Sequence, residues 1–112
     1  MEQDKGIRWM GSSYRDLLDF PEEPRRQAGF QLGKIQAGLD PDDWKPFDTI
    51  GAGTREIRIK EADGIYPVMY VTKFVEALYV LHCFQKKTQK LGPYDRNIAE
   101  TRYRAIVNHR KT

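Results

Sequence analysis

The residues best placed to do chemistry are cations. Arg55, Arg58 and Lys60 share one extended stretch, Lys73 closes the next, and Lys86, Lys87 and Lys90 follow a third. If three neighbouring strands bring these side chains together, they form a surface suited to RNA: Lys and Arg neutralise phosphates, and a tyrosine such as Tyr94 stacks on an unpaired base. RNA also carries its own nucleophile, the 2′-OH. The protein then needs only a base for that proton, an acid for the leaving oxygen, and fixed positive charge on the transition state, without a metal. A solvated charge run that keeps a sheet edge from aggregating leaves the same pattern.

Other chemistries find little support. Gly51-Ala52-Gly53 resembles the start of a dinucleotide loop, but Glu56 stands where the third glycine belongs and a strand pattern follows where a helix should. No Ser, Cys or Thr falls in a nucleophile motif. Cys83, the single cysteine, cannot form an internal disulfide, and with His82 and His109 it is too few for a four-ligand zinc site. The acidic stretch Asp40-Pro41-Asp42-Asp43 reads as a solvated loop, since nothing around it supplies further ligands.

The 112 residues suffice for one domain, taken as 1–112, and 39% hydrophobic content supports a packed core rather than a disordered chain. Net charge is only +3, but residues 85–112 hold eight bases against two acids, so the remainder is slightly acidic. That distribution fits either a polyanion partner or a solvated helix face. No apolar run approaches the ~20 residues needed to cross a bilayer, and the first residues lack a signal-peptide core, so a reducing cytoplasm is the expected location.

The elements that must position the cations follow from periodicity. Residues 7–10 suggest a short strand, and Ser12 or Ser13 can cap a short helix running to about Phe20. Pro21 opens a second helix, with Glu22 and Glu23 at the positive end of its dipole. Ala28, Leu32, Ile35 and Leu39 form its apolar stripe, and Gly29 with Gly33 suggests a flat strip for close packing. Trp44 and Phe47 look like anchors at the core edge. From Thr54 the period becomes two: Ile57 and Ile59 face one way and Glu56, Arg58 and Lys60 the other. Asp63-Gly64 marks a hairpin, Tyr66 to Lys73 and Ala77 to Phe84 read as the next strands, and a helix follows from about Tyr94 to Asn108. The expected fold is α+β: a small antiparallel meander whose one face is covered by helices, with a C-terminal helix.

These residues also resemble a known family. Trp44-Lys45-Pro46-Phe47, Ile50-Gly51, Glu56-Ile57-Arg58, Asp63-Gly64 and above all the run from Tyr79 to Gln89, with Leu81-His82-Cys83-Phe84-Gln85-Lys86-Lys87 at its centre, are similar to the phage-derived branch of the RelE/HigB-like toxins. Ser12-Ser13, Phe20-Pro21-Glu22 and Ile98-Ala99 with Arg102-Tyr103 fit the same branch. The resemblance implies a RelE-like domain, the toxin of a type II toxin–antitoxin pair. Such a protein cleaves mRNA without metal or other cofactor, commonly on the ribosome, and is silenced by an antitoxin protein. It implies Arg58, Lys86 and Lys87 as catalytic residues, with His82 either catalytic or, since it alternates with Val80 and Phe84, a packed core residue; the basic cluster itself offers Arg55, Lys60, Lys73 and Lys90, with Tyr94, as RNA-binding. One position departs: where the family reads Tyr-Arg-Val-x-Tyr after the hairpin turn, this chain has Tyr66-Pro67-Val68-Met69-Tyr70.

Two functional readings follow. The first is an endoribonuclease toxin. The second is a catalytically degenerate module that still binds RNA or antitoxin, and Pro67 favours it. A DNA-binding role rests only on the C-terminal charge, with no reader motif behind it.

Overall fold

Alternation between core and site residues along one strand organises the molecule. The computed structural model describes residues 4–88 and 90–111, so Gln89, inside the basic run, lies outside them. The elements are β1 (Ile7–Trp9), α1 (Ser13–Leu18), α2 (Glu22–Gln36), β2 (Trp44–Pro46), β3 (Thr54–Glu61), β4 (Gly64–Val71), β5 (Leu78–Cys83) and α3 (Pro93–Arg110). They build a five-stranded sheet of order β1-β5-β4-β3-β2.

The β3-β4-β5 meander is antiparallel as expected, but the sheet as a whole is mixed. β1 pairs parallel with β5, Ile7 opposite Leu78 and Trp9 opposite Val80. The stretch around Trp44, expected only to anchor the core, adds β2 antiparallel to the outer edge of β3. Helices cover both faces rather than one. Ile57, Ile59, Tyr66, Val68, Tyr70 and Val80 pack against Ala28, Leu32 and Ile35 of α2 and Leu17 of α1. On the other face, Met69, Val71, Tyr79 and Leu81 pack against Ala99, Tyr103 and Ile106 of α3.

Two local expectations fail for identifiable reasons. α2 stops at Gln36 because Gly38 takes a left-handed φ of +86°, so Leu39 leaves the apolar stripe and is exposed. Gly29 and Gly33 face solvent, and a Cβ on either would meet nothing within 4 Å, so they mark no packing strip. The acidic loop is not simply solvated either. Asp42 accepts from Gln31 of α2 at 2.7 Å, Asp40 from Arg55 at 3.2 Å, and Asp43 pairs with Lys60 at 3.7 Å, tying the loop to α2 and β3.

α3 is held at several points along its length. The Tyr103 hydroxyl donates to the Ala52 carbonyl at 2.7 Å, and its ring lies against Gly51. At the far end Arg110 pairs with Glu76 and sits 4.2 Å above the Phe74 ring. That guanidinium holds the Glu76 carboxyl down at about 2.

The glycines separate by what surrounds them. Gly33→Ala should stabilise the protein by about 0.4–1 kcal/mol, because an alanine fits the helix and restricts the unfolded chain. Gly51→Ala should destabilise it by about 1–3 kcal/mol, because the new methyl displaces the Tyr103 ring. Urea melts of the two variants check both signs.

Candidate functional site

The site is built on the half of the sheet nearest the β3-β4 hairpin, on the face turned towards α3. Register defines three rows across the strands. Glu56 lies opposite Met69, which lies opposite His82. Arg58 lies opposite Pro67, whose carbonyl accepts from the Phe84 N–H at 3.3 Å. Lys60 lies opposite Ile65, which bridges to Lys86 through paired main-chain bonds of 2.8 and 2.9 Å. Period two then puts Glu56, Arg58, His82, Phe84 and Lys86 on one face.

A bulge makes that possible. The register shifts between Met69 and Tyr70, so Leu81 is the extra residue on β5. Val80 and Cys83 pack in the α1/α2 core, whereas Leu81 and His82 both turn to α3. Simple alternation would have kept His82 on the side of Val80; the bulge re-aims it, as bulges beside functional sites do. Arg102 of α3 donates to the Leu81 carbonyl at 2.9 Å and to the Ser12 hydroxyl at 3.2 Å, securing the distorted backbone. Pro67 sits in the central strand, not at an edge. Its missing N–H would have faced the end of β5, two residues from the bulge, where the ladder is already interrupted.

His82 is 5% exposed. Its Nε2 lies 2.7 Å from Asp95 Oδ1, and its ring stacks on Phe84 with centroids 4.7 Å apart. Asp95 belongs to the first turn of α3, where the helix dipole favours a carboxylate. Burial lowers the His82 pKa below its ordinary value, and the Asp95 carboxylate partly opposes that shift. A neutral ring donating from Nε2 to Asp95 keeps its lone pair on Nδ1, which is buried with no hydrogen-bond partner among the described residues, and the carboxylate stabilises the imidazolium when that nitrogen takes a proton. His82, Phe84, Gln85, Tyr94 and Asp95 line a cavity of about 430 Å³ between α1 and α3.

On the adjoining strands Glu56 is 0% exposed and Lys86 only 9%. Lys86 Nζ lies 3.5 Å from Glu56 Oε2. Removing one partner of such a pair strands a buried charge, at a cost of about 3–5 kcal/mol. Gly64 lets the Lys86 backbone approach: its φ is +137°, and a Cβ there would stand 2.9 Å from the Lys86 carbonyl oxygen.

Of the residues singled out by sequence, Arg58, His82 and Lys86 share this face, and Tyr94 is 75% exposed at the cavity mouth. The others scatter. Lys60 keeps to the Arg58 face but at its rim, beside the hairpin turn with Lys87, and Lys90 is exposed in the connection to α3. Arg55 points to the α2 side, against Asp40 and 4.2 Å from the Trp44 ring, and Lys73 lies beyond β4 near Gly53. Sequence reasoning missed Glu56, Asp95 and Arg102. Glu56 looked like one more solvent-facing residue of an alternating strand, and nothing in its spacing marked it as buried. No group of His, Cys, Asp and Glu that could hold a metal exists among the described residues.

Fold and site together define a small α+β protein whose mixed sheet gathers two basic residues, a buried carboxylate and a histidine–carboxylate pair beside one helix start. The family model described as Phage derived protein Gp49-like (DUF891) matches residues 15–104, and the chain belongs to that family. The family falls within the RelE/HigB-type toxin superfamily and is a family of toxin–antitoxin toxins. No curated protein and no solved structure matches the chain. No helix among the described residues is long and apolar enough to cross a membrane.

The His82–Asp95 pair has a direct signature. In an NMR titration His82 should gain its proton below pH 6.5, and Asp95→Asn should move that midpoint lower still, since the carboxylate opposes the effect of burial. His109→Gln leaves a single imidazole to follow. A midpoint above 6.5, or one that Asp95→Asn leaves in place, contradicts the pairing.

Proposed function

We propose that this protein is the RNA-cleaving toxin of a type II toxin–antitoxin pair, acting on mRNA at the ribosome and neutralised by a protein antitoxin. The observation that carries this reading is the convergence of Arg58, His82 and Lys86 on one sheet face beside the start of α3. The His82–Asp95 pair takes the proton from a ribose 2′-OH at the Asp95 carboxylate, the more exposed of the two side chains, and the resulting oxygen attacks the adjacent phosphorus to form a 2′,3′-cyclic phosphate. The bond to the 5′-oxygen breaks, and the Tyr94 phenol at the cavity mouth supplies the proton that this oxygen needs. Arg58 and Lys86 neutralise the charge that builds on the phosphorane-like transition state. His82 Nε2 holds the Asp95 carboxylate in place at 2.7 Å. No step draws on a metal or organic cofactor.

Arg55 and Lys73 lie away from this face and have no part in the chemistry. Lys60 and Lys87 rim the hairpin end and Lys90 lies exposed in the connection to α3, where they attract the RNA backbone. The second reading, a binding module that no longer cuts, is favoured by Pro67, which puts an uncharged ring opposite Arg58.

Controlled expression of the chain alone, with primer extension on a reporter mRNA, tests the proposal. The expected result is growth arrest with new, codon-phased 5′ ends. Arg58→Ala or Lys86→Ala should reduce cleavage by about 10²-fold, the scale for losing one transition-state contact, and Lys87→Ala far less. Normal growth with intact mRNA and folded protein overturns the nuclease reading, and a gain of cleavage in Pro67→Arg would then identify the chain as a crippled toxin.

A further inference from the structure

Glu56 and Lys86 are the only buried carboxylate and buried amine among the described residues. They come from strands that do not touch each other: Glu56 from β3, and Lys86 from the segment that continues β5. In the register, Glu56 occupies the row of Met69 and His82, Lys86 occupies the row of Ile65 and Lys60, and the row between holds Arg58, Pro67 and Phe84. Pro67, on the central strand, is therefore the midpoint of the diagonal from Lys86 to Glu56. The ion pair at 3.5 Å closes across the face of Pro67, beside Arg58. A long side chain at position 67 would block that path, and the compact proline ring leaves it open.

A buried ion pair adds little net stability over apolar side chains of the same volume, because desolvation offsets the attraction. Its physical effect here is geometric. A lysine stem has many rotamers, and an exposed one spends little time at any single point. Both Glu56 oxygens lack a hydrogen-bond partner among the described residues, and the Lys86 ammonium lies 3.5 Å from one of them as an ion-pair partner. The attraction draws the ammonium inward from the hairpin rim to the middle of the sheet, next to Arg58 and one row from His82.

We infer that Glu56 is a positioning residue that holds the Lys86 ammonium over Pro67, so that Lys86 and Arg58 form a two-cation cradle for the scissile phosphate. This rests on the nuclease reading above. It also gives Pro67 a constructive part, since the charge that side chain lacks arrives from Lys86.

The test uses the full chain, Glu56→Gln, Lys86→Met and the double variant. Amine acetylation followed by mass spectrometry should find Lys86 labelled several times more slowly than Lys60 in the wild type, with the difference much reduced in Glu56→Gln. Cleavage of a reporter mRNA in a translating extract gives the second reading. Glu56→Gln should slow it about tenfold or more when Lys86 is present and have no further effect on Lys86→Met, a non-additive cycle that a general structural role would not produce. The double variant leaves no stranded charge, so it keeps the cycle readable even where Glu56→Gln folds poorly. Unchanged Lys86 labelling in Glu56→Gln, or additive losses of cleavage, overturns the inference. A wild-type chain that cuts nothing sinks the nuclease reading instead, and labelling then decides by itself whether Glu56 holds Lys86.

Discussion

The register of β3 against β4 is the constraint on which the site depends. From Thr54 opposite Val71 to Glu61 opposite Gly64 the pairing is continuous, and it turns Ile57 and Ile59 to α2 and Glu56, Arg58 and Lys60 to the other face. A slip by one residue would drive Glu56 and Arg58 into the apolar layer beneath α2 and expose both isoleucines. Gly64 anchors this register at the hairpin with its left-handed φ. The close approach of the Lys86 carbonyl to the same glycine carries the register on to the segment after β5.

The second device is the bulge at Leu81. It interrupts β5 so that a strand whose first half packs on α1 and α2 through Leu78 and Val80 can present His82 to α3. α3 answers with Asp95 on His82 and Arg102 on the Leu81 carbonyl, and its far end is clamped by Arg110 on Glu76 and Phe74. The helix start is thereby fixed over the site, and that placement decides where Asp95 and Tyr94 stand relative to the sheet cations.

Much of the scaffold was legible in the sequence. The alternation of Thr54–Glu61, the hairpin at Asp63-Gly64, and the helices after Pro21 and Pro93 all carry local signals that tertiary packing did not override. β1 and β2, three residues each, carry too little periodicity to reveal a partner, so the parallel pairing and the extra outer strand were not readable. Charge and position in the sequence single out Arg58 and Lys86, and both lie on the α3-side face. Asp95 and Glu56 are not singled out, because their meaning arises from long-range geometry: a helix start placed over a bulge, and a diagonal across three strands. Arg55 was misleading for the converse reason. It stands one residue from Glu56 and therefore faces the opposite side of the sheet.

RNA is proposed to meet the α3-side face of the β3-β4-β5 sheet. The most direct measurement is backbone and side-chain chemical-shift mapping of the labelled protein with a short single-stranded RNA carrying 2′-deoxy sugars, which binds but cannot be cut. The expected perturbations fall at Arg58, His82, Lys86 and Tyr94, with Arg55 and Lys73 unmoved. Shifts centred on Arg55 or Lys73, or none at all at millimolar RNA, would contradict that placement.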